Sequence, residues 1–156
     1  MRVVVDTNVL VSGLLYGGLP GEVVDSAKHG LVTLCVTEST VKELKATLGY
    51  PKFERHRQLL SEPIEIVLKN LLGRADFVPE LLDMPDVIQI DPDDTMFLAC
   101  ALTAEAECII SGDKHLLDLK NFVGIPIHTP RQFLKRLRDI QKGSTLRFKN
   151  KNRREG

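Results

Sequence analysis

Val3, Val4 and Val5 follow one another without a polar interruption until Asp6. An unbroken β-branched run of this kind predicts a strand buried on both faces, as in the centre of a parallel sheet. A loop is expected next, and Pro20 and Gly21 then open a helix over residues 22–29 that stops at Gly30, the residue that best tolerates a helix C-terminus. Residues 31–36 read as a second strand, and Thr37 starts a polar cluster from which Val41, Leu44 and Leu48 recur at helical spacing.

From residue 51 to residue 74 the pattern stays helical, with a break at Pro63 between Leu59–Leu60 and Ile66–Val67, which predicts a helical hairpin. A short strand is expected over residues 87–90, and Asp91-Pro92-Asp93-Asp94 then leads into a strongly apolar helix over 96–104. Residues 108–111 and 125–128 read as the last two strands, and residues 130–138 as the last helix. Strands and helices alternate throughout. The predicted fold is therefore α/β, a three-layer α/β/α sandwich around a central, mostly parallel sheet.

Composition bounds this picture without changing it. The 156 residues suit one domain, and 43% hydrophobic with 27% charged residues is the balance of a folded globular protein. No apolar run approaches the roughly 20 residues of a membrane span, and the N-terminus lacks the pattern of a signal peptide, so the expected location is the cytoplasm. Cys35, Cys100 and Cys108 sit among apolar neighbours without metal-binding spacing, which predicts reduced thiols used for packing.

The net charge of zero conceals an asymmetry. From Gln141 onward six bases face one acid, a net of +5, which leaves −5 on the rest. We expect a domain over residues 1–140 and a basic, disordered tail over 141–156, suited to attracting phosphate.

Loops and helix N-termini converge at the carboxyl ends of the strands in an open parallel sheet, and ligands bind there. Asp6, Glu43, Asp94 and Asp113 all fall at those ends in the predicted element order. Each has a structural explanation of its own. Asp91 as N-cap with acids in the first turn would account for Asp94, Thr40-x-x-Glu43 is a possible capping box, and Asp113 after Gly112 suits a turn or cap. Asp6 is the one that capping does not obviously require.

Together the four pose a problem that capping does not solve. Carboxylates about 6 Å apart repel by roughly 2 to 3 kcal/mol per pair at an effective dielectric near 20. Protonation or a hard cation relieves that repulsion, and Mg²⁺ or Mn²⁺ takes oxygen ligands together with water and phosphate oxygens. Such a site can drive hydrolysis of a phosphodiester without a His, Cys or Ser nucleophile.

The segments Val3-Val-Val-Asp-Thr-Asn-Val-Leu10, Thr40-x-x-Glu43-Leu44, Asp94-x-x-x-Leu98-Ala99-x-Ala101 and Ser111-Gly-Asp-Lys-His-Leu-Leu117 resemble the PIN domain. The resemblance covers about residues 2 to 138, and it is close to the PIN-family toxin components of bacterial and archaeal toxin–antitoxin pairs. It implies a Mg²⁺- or Mn²⁺-dependent endoribonuclease, often a homodimer and inhibited by an antitoxin protein. It also implies that Asp6, Glu43, Asp94 and Asp113 form the metal-binding catalytic site, with Asn8 and Ser111 steadying the carboxylates. Asp93 is the alternative to Asp94.

His115 is read as a solvated or hydrogen-bonded residue, and Lys114 with the tail bases as solvated surface charges, with contact to RNA phosphates as the alternative. Two other readings compete. A phosphatase with Asp6 as covalent nucleophile wants a second Asp where this chain has Asn8, and a catalytically silent PIN-like module for RNA or protein binding would not retain all four acids.

Overall fold

A computed structural model describes residues 1–81, 83 and 92–155, at 92, 93, 145–150, 154 and 155 for the backbone alone. The strands are β1 (Arg2–Val5), β2 (Thr33–Val36), β3 (Asp76–Phe77), β4 (Cys108–Ile110), β5 (Asn121–Phe122) and β6 (Ile125–His128). The helices are α1 (Thr7–Leu15), α2 (Gly18–Lys28), α3 (Glu38–Leu48), α4 (Glu54–Gln58), α5 (Ile64–Leu72), α6 (Pro92–Ala104), α7 (Lys114–Leu119) and α8 (Pro130–Glu155). One six-stranded sheet runs in the order β3-β2-β1-β4-β6-β5. Its pairs are parallel except β5 with β6, the hairpin at one edge.

The alternation of side chains along each strand sorts the core into two layers. Val3, Val5, Leu34, Val36, Cys108 and Ile110 face α1, α2, α3, α5 and α8, with Leu44, Leu71 and Phe133 buried among them. Val4, Cys35 and Ile109 face the other way, onto Phe97, Leu98, Cys100 and Ala101 of α6 and Leu116 of α7. Helices thus cover both faces, and this explains why the central strands carry apolar residues at successive positions. The predicted α/β/α sandwich is the fold observed.

From β1 the chain winds to β2 and β3 on one side and to β4 and β6 on the other. The order therefore reverses between β1 and β4, and a crevice opens beyond the carboxyl ends of those two strands. Backbone hydrogen bonds fix their relative height, with Val5 opposite Ile110 and the Asp6 N–H donating to the Ile110 carbonyl at 3.0 Å. The residues that follow the two strands, Asp6 on one and Ser111 to Asp113 on the other, are consequently neighbours.

Four local expectations change. The loop expected after Asp6 is the helix α1. Its sequence, with three β-branched residues and Gly13, has poor intrinsic helix propensity, and packing decides the outcome. A Cβ on Gly13 would lie 2.4 Å from the Pro20 carbonyl oxygen and 2.6 Å from Val24 Cγ2, so the absence of a side chain is what lets α1 and α2 approach. The reversal between them passes through Gly17 and Gly18, at φ of 82° and 65°. The two-residue strands β3 and β5 were not expected.

The last helix does not stop at Arg138, and the tail expected to be disordered from Gln141 is helical to Glu155. Lys and Arg supply six of the residues from Gln141 to Glu155 and no proline interrupts them, so helix formers there outweigh Gly143. The strand expected over 87–90 and the cap expected at Asp91 lie outside the described residues. Among the described residues no helix is long and apolar enough to cross a membrane.

Candidate metal centre

Asp6 has two structural tasks at once. As N-cap of α1, its Oδ1 accepts the Val9 N–H at 3.0 Å, so capping does claim this residue, contrary to the expectation from sequence. Its Oδ2 accepts the hydroxyl of Ser111. Ser111 is fully buried, and the same hydroxyl oxygen accepts the Asp113 N–H at 2.9 Å. A single serine therefore ties the exit of β1 to the exit of β4.

Burial pushes the Asp6 carboxyl above the ordinary aspartate value of 3.8. The hydrogen bonds from Ser111, Val9 and Gly112 oppose that push, and the negative charge of Asp113 adds to it. Asp6 is 5% exposed, so water screens little of this. A buried carboxylate held beside another carboxylate is the arrangement that a cation stabilises.

Asp113 caps α7, its Oδ1 accepting the N–H groups of His115 at 2.8 Å and Leu116 at 3.2 Å. The cap expected from sequence is present, and it spends one oxygen of the carboxylate. Glu43 lies on α3. The capping box of that helix is formed by Thr37 and Thr40, with Thr40 at the third position, so Glu43 is not part of it. Its Oε2 instead accepts the hydroxyl of buried Thr7 at 2.9 Å, a bond from α3 to the first residue of α1.

Asp6, Glu43, Asp94 and Asp113 all line one cavity of about 290 Å³, with Thr7, Asn8, Thr47, Tyr50, Lys52, Phe53, Phe97 and His115. Acids separated by up to 107 positions in sequence thus share a wall at the carboxyl end of the sheet. Of the adjacent acids, Asp94 reaches the cavity, whereas the side chain of Asp93 is outside the described set. A larger and more apolar cavity of about 740 Å³ lies between α3, α4 and α5, but Glu65 is the one acid among the described residues that line it. Chemistry, and not size, selects the smaller one.

The donor set suits a hard divalent cation, since it offers carboxylate oxygens and neither thiol nor an obligatory imidazole. Among the described residues no three His, Cys, Asp or Glu side chains converge closely enough to share one ion, so the acids line the cavity without closing a coordination shell. Thr7, Thr47 and Phe97 of this lining carry no site signal in the sequence, and neither do Tyr50, Lys52 and Phe53. The last three follow the end of α3 by a few positions and carry no periodic signal.

Residues 2–115 match the family model described as PIN domain. No curated protein matches the chain. Among solved structures, the fold is similar to that in the crystal structure of VapBC2 from Rickettsia felis bound to a DNA fragment from their promoter. The TM-score is 0.56 at 13% identity, over 83% of this chain and 98% of that chain. At that identity the likeness is one of fold.

Proposed function

The chain belongs to the PIN domain family, and on that premise we propose that it is a divalent-metal-dependent endoribonuclease, the toxin of a toxin–antitoxin pair. One observation carries the reading. Four acids from four separate segments line one cavity beyond the carboxyl ends of β1 and β4.

Asp6, Glu43, Asp94 and Asp113 would hold Mg²⁺ or Mn²⁺. The ion, when bound, supplies positive charge that acidifies water and offsets the charge developing on a phosphodiester under in-line attack. The chain's own residues set the stage for this. Ser111 fixes the Asp6 carboxylate and the backbone of Asp113 together, so the two acids keep their spacing. Thr7 orients the Glu43 carboxylate, and Asn8 offers a polar amide on the same wall. Asp93 remains the alternative partner beside Asp94.

The toxin reading rests on the resemblance to PIN-family toxins, with support from the fold shared with VapBC2. It brings an antitoxin protein as partner, and a homodimer, which light scattering tests. Residues 1–140 would be the catalytic domain and the basic stretch 141–156 its appendix.

Cleavage of a varied set of RNAs, read on gels with Mg²⁺ or Mn²⁺, with EDTA, and with Asp6→Asn, tests the activity. Cleavage that disappears with EDTA and with the substitution is the expected result. No cleavage of any RNA, or cleavage that survives both treatments, would leave a silent binding module as the better description. Growth arrest on expression, relieved by the product of a neighbouring gene, tests the toxin assignment separately.

A further inference from the structure

Aromatic residues make up 5% of the chain, with two tyrosines and no tryptophan, yet both tyrosines are spent on the surface. Tyr16 is 52% exposed and Tyr50 48% exposed. Tyr50 and Phe53 line the same cavity as the four acids, and Tyr16 meets the Phe53 ring edge-on at 6.4 Å between centroids. Lys52, between Tyr50 and Phe53 in sequence, is the one Lys or Arg among the described residues that line this cavity, with its Nζ 5.0 Å from the centre of the Phe53 ring. An aromatic and cationic rim thus borders an acidic floor.

The rim is held in place before any ligand arrives. Arg57 Nη1 donates to the carbonyls of Leu48 at 2.5 Å and Tyr50 at 2.9 Å. Pro51 opens a turn of 3₁₀ helix over Pro51–Phe53, and the Phe53 N–H returns to the Tyr50 carbonyl at 3.0 Å. The backbone that carries Tyr50 and Lys52 is clamped from both sides, while the Tyr50 ring itself stays half open to water. Exposed aromatic faces on a fixed backbone are what an unstacked nucleobase binds, because every base has a π-face and little order is lost.

We infer that Tyr50 and Lys52 form a nucleotide subsite beside the acid cluster, in which Tyr50 stacks an unpaired base of single-stranded RNA and Lys52 holds an adjacent phosphate. The inference rests on the ribonuclease reading and adds to it two substrate-binding residues, one for a base and one for a phosphate. A base inside a duplex has no free face to offer. The single cation also answers an electrostatic need, since four carboxylates repel an incoming polyanion and Lys52 supplies local attraction at the rim.

The test compares wild type, Tyr50→Ala, Tyr50→Phe and Lys52→Gln in the full-length protein with Mn²⁺. Cleavage rates are measured on a short single-stranded RNA and on the same RNA annealed to its complement. Tyr50→Ala is expected to raise KM about tenfold, within the range of base–aromatic stacking, while kcat changes little and Tyr50→Phe stays close to wild type. Lys52→Gln is expected to flatten the dependence of log KM on log salt by roughly 0.7, the share of one phosphate contact on a single strand. The duplex is expected to be cut poorly. A wild type that cuts the single strand with Tyr50→Ala unchanged, or that cuts the duplex equally well, overturns the subsite and leaves the ribonuclease reading standing. A wild type that cuts no RNA overturns that reading and the subsite with it.

Discussion

Replacing Ser111 with Ala removes one oxygen atom and should loosen both strand exits together. The hydroxyl donates to the buried Asp6 carboxylate and accepts the Asp113 N–H, and the residue is fully buried, so water does not take its place. A hydrogen bond to a charged group contributes roughly 1.5 to 3 kcal/mol, and a neutral one about 1 kcal/mol. The expected loss near pH 7 is therefore about 3 kcal/mol, which lowers the melting temperature by roughly 6 to 12 °C in a domain of this size.

The pH dependence of that loss gives a sharper test. The Ser111 bond lowers the proton affinity of Asp6 in the folded state, against burial that raises it. Without the bond the folded carboxyl is raised further above 3.8, so the variant pays its full penalty only above that raised value. As pH falls through it, Asp6 protonates in the fold and the charge-assisted part of the loss fades, leaving roughly 2 kcal/mol near pH 4. Urea unfolding of both proteins in EDTA at the two pH values measures this. A deficit under about 0.5 kcal/mol, or one that does not change with pH, refutes the role given to Ser111.

Asp6→Asn should abolish RNA cleavage, and in EDTA its melting temperature relative to wild type should fall as pH drops from about 7 to about 4. Asn keeps the N-cap acceptor but puts an N–H₂ donor where Asp6 Oδ2 accepts the Ser111 hydroxyl, while it removes a buried charge whose folded proton affinity is raised. The cost of that charge in wild type is absent below 3.8 and grows as pH rises through the folded value, so the variant gains on wild type as pH rises, as thermal melts will show. Gly13→Ala should cost about 1 to 3 kcal/mol in urea unfolding, because its Cβ meets the Pro20 carbonyl and Val24. Cys100 and Cys108, pushed by burial up to about 12 and about 11, should resist alkylation near pH 8 until the protein unfolds, which mass spectrometry reads directly.

The layer architecture was legible because the valines of β1 and the apolar residues of α6 have no other reading than burial. Asp6 and Asp113 were legible as residues after strands, and Glu43 and Asp94 as acids in the first turns of helices, since a parallel sheet brings strand ends and helix N-termini together whatever the loops do. What escaped notice depends on contacts between segments. Residues 7–15 form a helix only because Gly13 lets α2 lie close, and no local window contains Val24. The two-residue strands β3 and β5 are too short to have a period. Asp6 looked free of capping duty because α1 was not foreseen, and the aromatic rim depends on Arg57 gripping the backbone of Leu48 and Tyr50.

Mn²⁺ binding to the purified protein tests whether the four separated acids act as one cation site, with no assumption about RNA. Electron paramagnetic resonance counts free Mn²⁺ during titration of wild type, Asp6→Asn, Asp113→Asn, Glu43→Gln and, as a control on α8, Asp139→Asn. Saturable binding is expected for wild type and for the control, weakened at least about tenfold by each of the other three substitutions, as removal of a charged ligand should do. Binding that is absent in wild type, or unchanged when Asp6 and Asp113 are neutralised, contradicts a shared cation site.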